Sequence, residues 1–200
     1  FLAQAFALCD MMIEIHPDEP ESYLVYGDFL NRDGRYSEAR DKFLRAAELD
    51  PARLEVWLAI LNLDLKLEDF QAMYRHADSS LGYFFEQPAL FLFAGLAAMQ
   101  LENYAEAVSQ LEYGLQLLVD NASLQQEFLS MLGDAHHYLD NFARSDRYYE
   151  QALKLDPQNA TVLNNYAYHL ALRAERLEQA EAMARKAVDQ RPDNPAFLDT

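Results

Sequence analysis

Apolar residues return every three or four positions along most of the chain, in runs of about a dozen that stop at a proline, a glycine or a short polar stretch. The first run, FLAQAFALCDMMIEI, sets Leu2, Ala5, Phe6, Cys9, Met12 and Ile13 on one helix face and ends at His16 and Pro17. It lacks the basic start of a secretory signal, so it reads as a packed helix. A slower rhythm lies over the helical one. Small or helix-packing residues stand at Gly27, Leu61, Gly95, Gly133 and Ala167, at intervals of 34, 34, 38 and 34. Tyr36, Phe70, Tyr104, Phe142 and Leu177 repeat it at 34, 34, 38 and 35, and Ala5, Ala39, Met73, Ala107, Ser145 and Ala180 keep step. Pro17, Pro51, Pro157 and Pro192 punctuate the same phase.

A unit of that length holds two helices of about a dozen residues and a tight turn. The small residues mark where two backbones approach closely, and the large ones fill the remaining space. Turn chemistry sits inside each pair, at Asn31-Arg32-Asp33-Gly34, Leu67-Glu68-Asp69 and Leu139-Asp140-Asn141, and proline ends the second helix because it cannot donate the next hydrogen bond. Four extra residues near Asn121 predict a longer helix or loop, with Ser123 and Gln126 at capping-box spacing.

Residues 20 to 51, PESYLVYGDFLNRDGRYSEARDKFLRAAELDP, resemble a tetratricopeptide repeat through Tyr23, Tyr26, Gly27, Leu30, Ala39, Phe43, Ala46 and Pro51. The unit after it keeps Trp57 but has Leu61 for the glycine, Met73 for the alanine and Phe85 for the proline, which makes it the weakest match. Phe91, Gly95, Ala107 and Leu111, then Gly133, Tyr149, Ala152 and Pro157, then Ala167, Ala180, Ala187 and Pro192 carry the resemblance onward. The stretch LNNYAYHLALRAERLEQAEAMARKAV with NPAFLDT is similar to a variant common in large bacterial members.

The resemblance implies an all-α fold, a right-handed superhelical solenoid of antiparallel helix-turn-helix repeats. Its expected division is one solenoid domain: a second helix over 1–19, repeats over 20–53, 54–87, 88–125, 126–159 and 160–194, and the start of another over 195–200. The whole reads as a segment of a longer bacterial array.

By the same resemblance the first helix of each repeat lines a concave groove that holds a protein or peptide, without catalysis. The groove positions fall on Leu24, Asp28, Leu58, Asn62, Leu92, Phe93, Leu96, Met131, Asp134, His137, Asn164, Asn165 and Tyr168. Their apolar middle and acidic flanks, Glu21 and Glu55 among them, suit a cationic or amphipathic partner with apolar anchors. The alternative for Leu92, Phe93 and Leu96 is that they pack on a neighbouring helix. The family's Lys and Asn clamp for terminal carboxylates is replaced by Leu24, Asp28, Ala59, Ala89 and Phe93. A second function class is a structural array that self-associates through its ends.

Composition narrows the partners. Against 33 acidic side chains stand 16 basic ones, a formal charge of -17, which repels a phosphate backbone and argues against nucleic acid. No apolar stretch is long enough to insert in a bilayer. The lone Cys9 cannot form an internal disulfide or a multi-thiolate zinc site, and it reads as a buried inert thiol. Cytoplasm and bacterial envelope or periplasm both stay open as compartments.

Ser130, Asp134 and His137 lie at i, i+4 and i+7, which sets a hydroxyl, an acid and a base on one helix face. With no oxyanion hole beside Ser130, a hydrolase using this trio is the remote alternative. Glu127, Asp134 and His137 lack the spacing of a metal site, and neither metal nor cofactor is expected. His136 and His137 point to different faces, while His16, His76 and His169 read as isolated surface or packing residues.

Overall fold

The computed structural model describes residues 2–198. The chain falls into two compact units, Phe1–Leu101 and Glu102–Thr200. Among the described residues all regular structure is helical. The first unit carries α1 (Leu2–Ile15), α2 (Pro20–Arg32), α3 (Tyr36–Leu49), α4 (Leu54–Lys66), α5 (Phe70–Leu81) and α6 (Pro88–Gln100). The second carries α7 (Tyr104–Gln116), α8 (Ala122–Tyr138), α9 (Phe142–Leu155), α10 (Ala160–Leu172), α11 (Leu177–Gln190) and α12 (Pro195–Leu198). Within each unit every helix packs on its neighbours in sequence, and in the second unit α10 also touches α8. Residues 199 and 200, expected to continue a further helix, lie outside the described residues.

Two of the predicted close crossings, at Gly27 and Gly133, are present. A methyl group added at Gly27 would come within 2.8 Å of the Phe43 ring, and one at Gly133 within 2.8 Å of Tyr149. The weak unit solves the same crossing in reverse. Leu61 stands where the glycine would be, Ala77 stands one period after Phe43, and both are fully buried in one cluster with Met73 and Leu90. Bulk has moved from one helix to the other, so the departure from the family pattern leaves a filled core. Cys9 is buried as expected, and Phe6 and Ile13 on the same face of α1 pack on the core that holds Phe43 and Trp57.

Turns repeat with the same period. Gly34, Glu68, Asp140 and Ala174 have left-handed backbones, and the residue after each donates its N–H to the carbonyl five positions back, as in Arg35 to Leu30 and Glu175 to Leu170. This bond satisfies a carbonyl that the helix end would leave open. The one-residue excess before Leu177 has a cause here: Arg176 is a second left-handed residue in the α10–α11 turn.

Two further ties link consecutive hairpins. The Tyr23 hydroxyl donates to the Pro17 carbonyl and the Trp57 indole N–H to the Pro51 carbonyl, both at 2.9 Å. Near the insertion, the expected capping box gives way to another arrangement. Asn121 is the N-cap, its Oδ1 accepting from the Leu124 N–H at 3.0 Å, and α8 starts early and runs for 17 residues. Gln126 turns inward instead, donating to the Ala152 carbonyl and accepting from Asn159 Nδ2.

Candidate functional site

The groove positions are described unit by unit. In the first, Leu24, Leu58 and Leu92 follow one another at 34-residue steps on α2, α4 and α6, and all three are half-buried. Leu24 leans on the core around Trp57, and Leu58 on the one around Met73. Asp28 and Asn62 are exposed, although the Asn62 amide donates back to the Leu58 carbonyl at 2.7 Å. Asp28 also lines a small cavity of about 130 Å³ with Val25, Phe29 and Arg32. Phe93 and Leu96 are half-buried and pack on the cluster around Leu61 and Leu90, so part of their surface is structural. Of the flanking acids, Glu21 pairs with Arg53 at 3.1 Å.

Beneath this row lies a charge network that pattern reading missed. Asp64 is fully buried on α4. Its Oδ1 accepts from Arg40 Nη1 at 2.8 Å, its Oδ2 lies 2.7 Å from His76 Nδ1, and the same Arg40 nitrogen reaches Asp69 Oδ2 at 2.9 Å. His76 is therefore paired rather than isolated. A carboxylate inside the apolar run Leu63-Asp64-Leu65 was the available signal, since such a group needs a partner when buried.

In the second unit Met131 and Asn165 are half-buried and Tyr168 is exposed, whereas Asn164 is buried with its Oδ1 unpartnered. Asp134 and His137 belong to an internal cluster. The Tyr149 hydroxyl donates to Asp134 Oδ1, and His169 Nε2 lies 2.9 Å from the same oxygen. A carboxylate so placed requires the proton on Nε2 of His169. The His137 ring packs on that of His169 with centroids 3.8 Å apart. Burial first, then the neighbouring His169 and Arg173, push the His137 pKa down to about 4, so it is neutral near pH 7. Tyr149 is held well above the usual phenol range by burial and the Asp134 charge.

This arrangement removes the basis for a relay through Ser130. Asp134 spends its hydrogen bonds on Tyr149 and His169, His137 faces another imidazole, and Ser130 is 8% exposed. His169, expected to be isolated, is the centre of the cluster. His136 does diverge from His137, stacking on Tyr148 with ring planes within 5°. Among the described residues no group of three or more His, Cys, Asp or Glu is placed to hold a metal ion, and no helix is long and apolar enough to cross a membrane.

Helical hairpins on a 34-residue period, with glycine–aromatic crossings, left-handed turns and proline-capped ends, define an α-hairpin repeat protein. The tetratricopeptide repeat profile matches residues 3–53 and 130–195, more than half of the chain, and the chain belongs to that family. It is 26% identical over 175 residues to the DnaJ protein P58IPK homolog B of Oryza sativa subsp. japonica, a match that covers 81% of this chain and 36% of the relative. The chain thus spans little more than a third of that relative's length. Among solved structures it is similar to YrrB, described as a tetratricopeptide repeat protein with an unusual peptide-binding site, with a TM-score of 0.69 at 20% identity over 96% of each chain. Pseudomonas aeruginosa PilF superposes with a TM-score of 0.70 at 16% identity, covering 99% of this chain and 88% of that one. At these identities the structural matches establish the fold. Proteins of this family are in general non-catalytic scaffolds for protein interactions.

Proposed function

We propose that the first-helix faces hold an extended or helical protein segment that is basic or amphipathic. In the first unit the contact surface comprises Leu24, Leu58 and Leu92, with Phe93 and Leu96 beside them and Asp28, Glu55 and Asn62 at the rim. In the second it comprises Met131, Asn165 and Tyr168, with the Asp134 and His137 cluster and, separately, the buried Asn164 as its floor. The observation that carries the reading is the row of half-buried leucines at 34-residue steps, beside exposed carboxylates, in a chain of net charge -17. The peptide-binding site named for the structural relative supports the use of this fold for such a task. Each hairpin is read as one repeat, with the limits 20–53, 54–87, 88–125, 126–159 and 160–194.

The test is a binding titration with amphipathic Lys/Leu peptides and with their Glu/Leu counterparts. Basic peptides bind and weaken as salt rises, acidic ones do not, and Leu92→Ser lowers affinity about tenfold, in the range of a lost apolar anchor. Equal binding of both peptide sets, or no effect of Leu92→Ser and Phe93→Asp in variants that keep their helical spectrum, refutes the reading.

One observation favours self-association as a second reading. Leu8, Met11 and Ile15 on α1 are exposed at i, i+3 and i+7, and a separate cavity of about 530 Å³ combines the apolar Leu177, Val188 and Phe197 with the charged Glu181, Arg185 and Asp189. Sedimentation decides it: mass that rises with concentration and is abolished by Met11→Lys supports association, and a monomer at all concentrations removes it.

A further inference from the structure

The face formed by α7 and α9 carries a cavity of about 450 Å³ lined by Glu112, Arg144, Arg147, Tyr148 and Gln151. Arg144 and Arg147 are three residues apart on α9 and so project from one helix side. Neither has a carboxylate partner among the described residues, although acids outnumber bases by 33 to 16 and arginines such as Arg40, Arg53 and Arg173 are all paired. The one acid in the cavity is already engaged: Glu112 Oε1 accepts the Tyr148 hydroxyl at 2.9 Å and lies 4.0 Å from His136 Nε2.

Behind Tyr148, His136 is 2% exposed, stacks flat on the phenol ring at 5.4 Å, and has no hydrogen-bond partner at either nitrogen. Burial, then the Arg144 charge, lower its pKa, and Glu112 opposes them. It is therefore neutral near pH 7. The cavity holds two permanent positive charges against one negative charge.

We propose that this cavity is an oxyanion site, of the phosphate class, in which the Arg144 and Arg147 guanidinium groups grip the anion and the Gln151 amide donates a further hydrogen bond. A guanidinium presents a rigid fork of N–H donors, and a tetrahedral phosphate has enough terminal oxygens for two forks at once. A carboxylate offers a single bidentate edge. Both the pull of the two guanidinium groups and the repulsion from Glu112 grow with the charge of the anion, and because two positive charges face one negative charge the dianion gains more net attraction than a monoanion. The site lies on second helices, away from the groove positions, so it stands or falls independently of the peptide-binding reading.

Phosphate is titrated into the 200-residue chain at constant ionic strength, while the arginine Nε–H and His136 ring resonances are followed by NMR. Saturable shifts are expected at Arg144 and Arg147, with the His136 pKa rising as the anion is bound. Arg144→Gln and Arg147→Gln each weaken binding at least about tenfold, and Glu112→Gln strengthens it several-fold by removing the like charge. Phenyl phosphate binding as tightly as phosphate assigns the site to an esterified group, and binding of phosphate alone assigns it to the inorganic ion. Linear shifts, identical shifts from acetate at matched ionic strength, arginine variants that titrate like the parent, or weaker binding in Glu112→Gln overturn the proposal. Helical spectra of the variants confirm that the fold is retained, which the exposed Arg144 and Arg147 and the half-buried Glu112 permit.

Discussion

At the residue scale the hairpin turns ask the same backbone of different side chains. Gly34 takes a φ of 79° without penalty, but Glu68, Asp140 and Ala174 take φ between 53° and 57° with a Cβ attached. A side chain in that region costs about 1–2 kcal/mol, partly offset because glycine loses more freedom on folding. Ala174→Gly should therefore raise stability by about 0.5–1 kcal/mol, read from the urea midpoint at unchanged m-value. His137 gives a pH prediction. Its pKa in the folded chain, about 4, lies below its ordinary 6.5. Between those values the unfolded chain binds a proton that the folded chain does not, so stability falls as pH drops through that window and is unaffected above it. His136, also lowered, acts in the same direction. His137→Gln should flatten the slope of the urea midpoint between about pH 6.5 and 4. An unchanged slope would show that His137 titrates normally.

At the element scale the informative pair is α4 against α5. Leu61 and Ala77 invert the Gly27–Phe43 and Gly133–Tyr149 crossings while keeping the core filled. Leu61→Gly alone opens a cavity and should cost about 3–5 kcal/mol, and Ala77→Phe alone overpacks and should cost about 1–3 kcal/mol. Together they recreate the arrangement of the preceding hairpin. The double variant should be more stable than the sum of the singles by at least about 1 kcal/mol. Additive losses in thermal unfolding would mean that the two helices do not share that crossing. The Arg40–Asp64–His76 network on the same elements fixes which side of α4 faces α3 and α5, because Asp64 has no other way to be buried.

At the scale of the whole molecule the dominant quantity is the charge of -17. Self-repulsion of that size destabilises the compact state, and salt screens it. Raising ionic strength from about 0.01 M to 0.15 M shortens the screening length from about 30 Å to 8 Å. The melting temperature should rise by a few degrees over that interval, whereas binding of a basic peptide should weaken. A melting temperature that falls with salt would mean that ion pairs such as Arg173–Asp146 and Arg40–Asp64 outweigh the repulsion.

The helical class, the 34-residue period, the glycine crossings, the turn positions and the extra length near Asn121 could all be read from the amino-acid order. Each depends on spacing along a helix or on a residue whose backbone or size admits one local solution. Leu24, Leu58 and Leu92 entered as groove positions through the family resemblance, and their half-buried state came from the packed helices. The tertiary structure alone decided where the polar side chains find their partners. Asp64 meets Arg40 from 24 positions away, Asp134 meets His169 from 35, and the cap before α8 falls on Asn121 rather than Ser123. Periodicity tells which face a residue occupies, but a buried charge is matched by geometry across neighbouring helices, and that match appears only when the helices are packed.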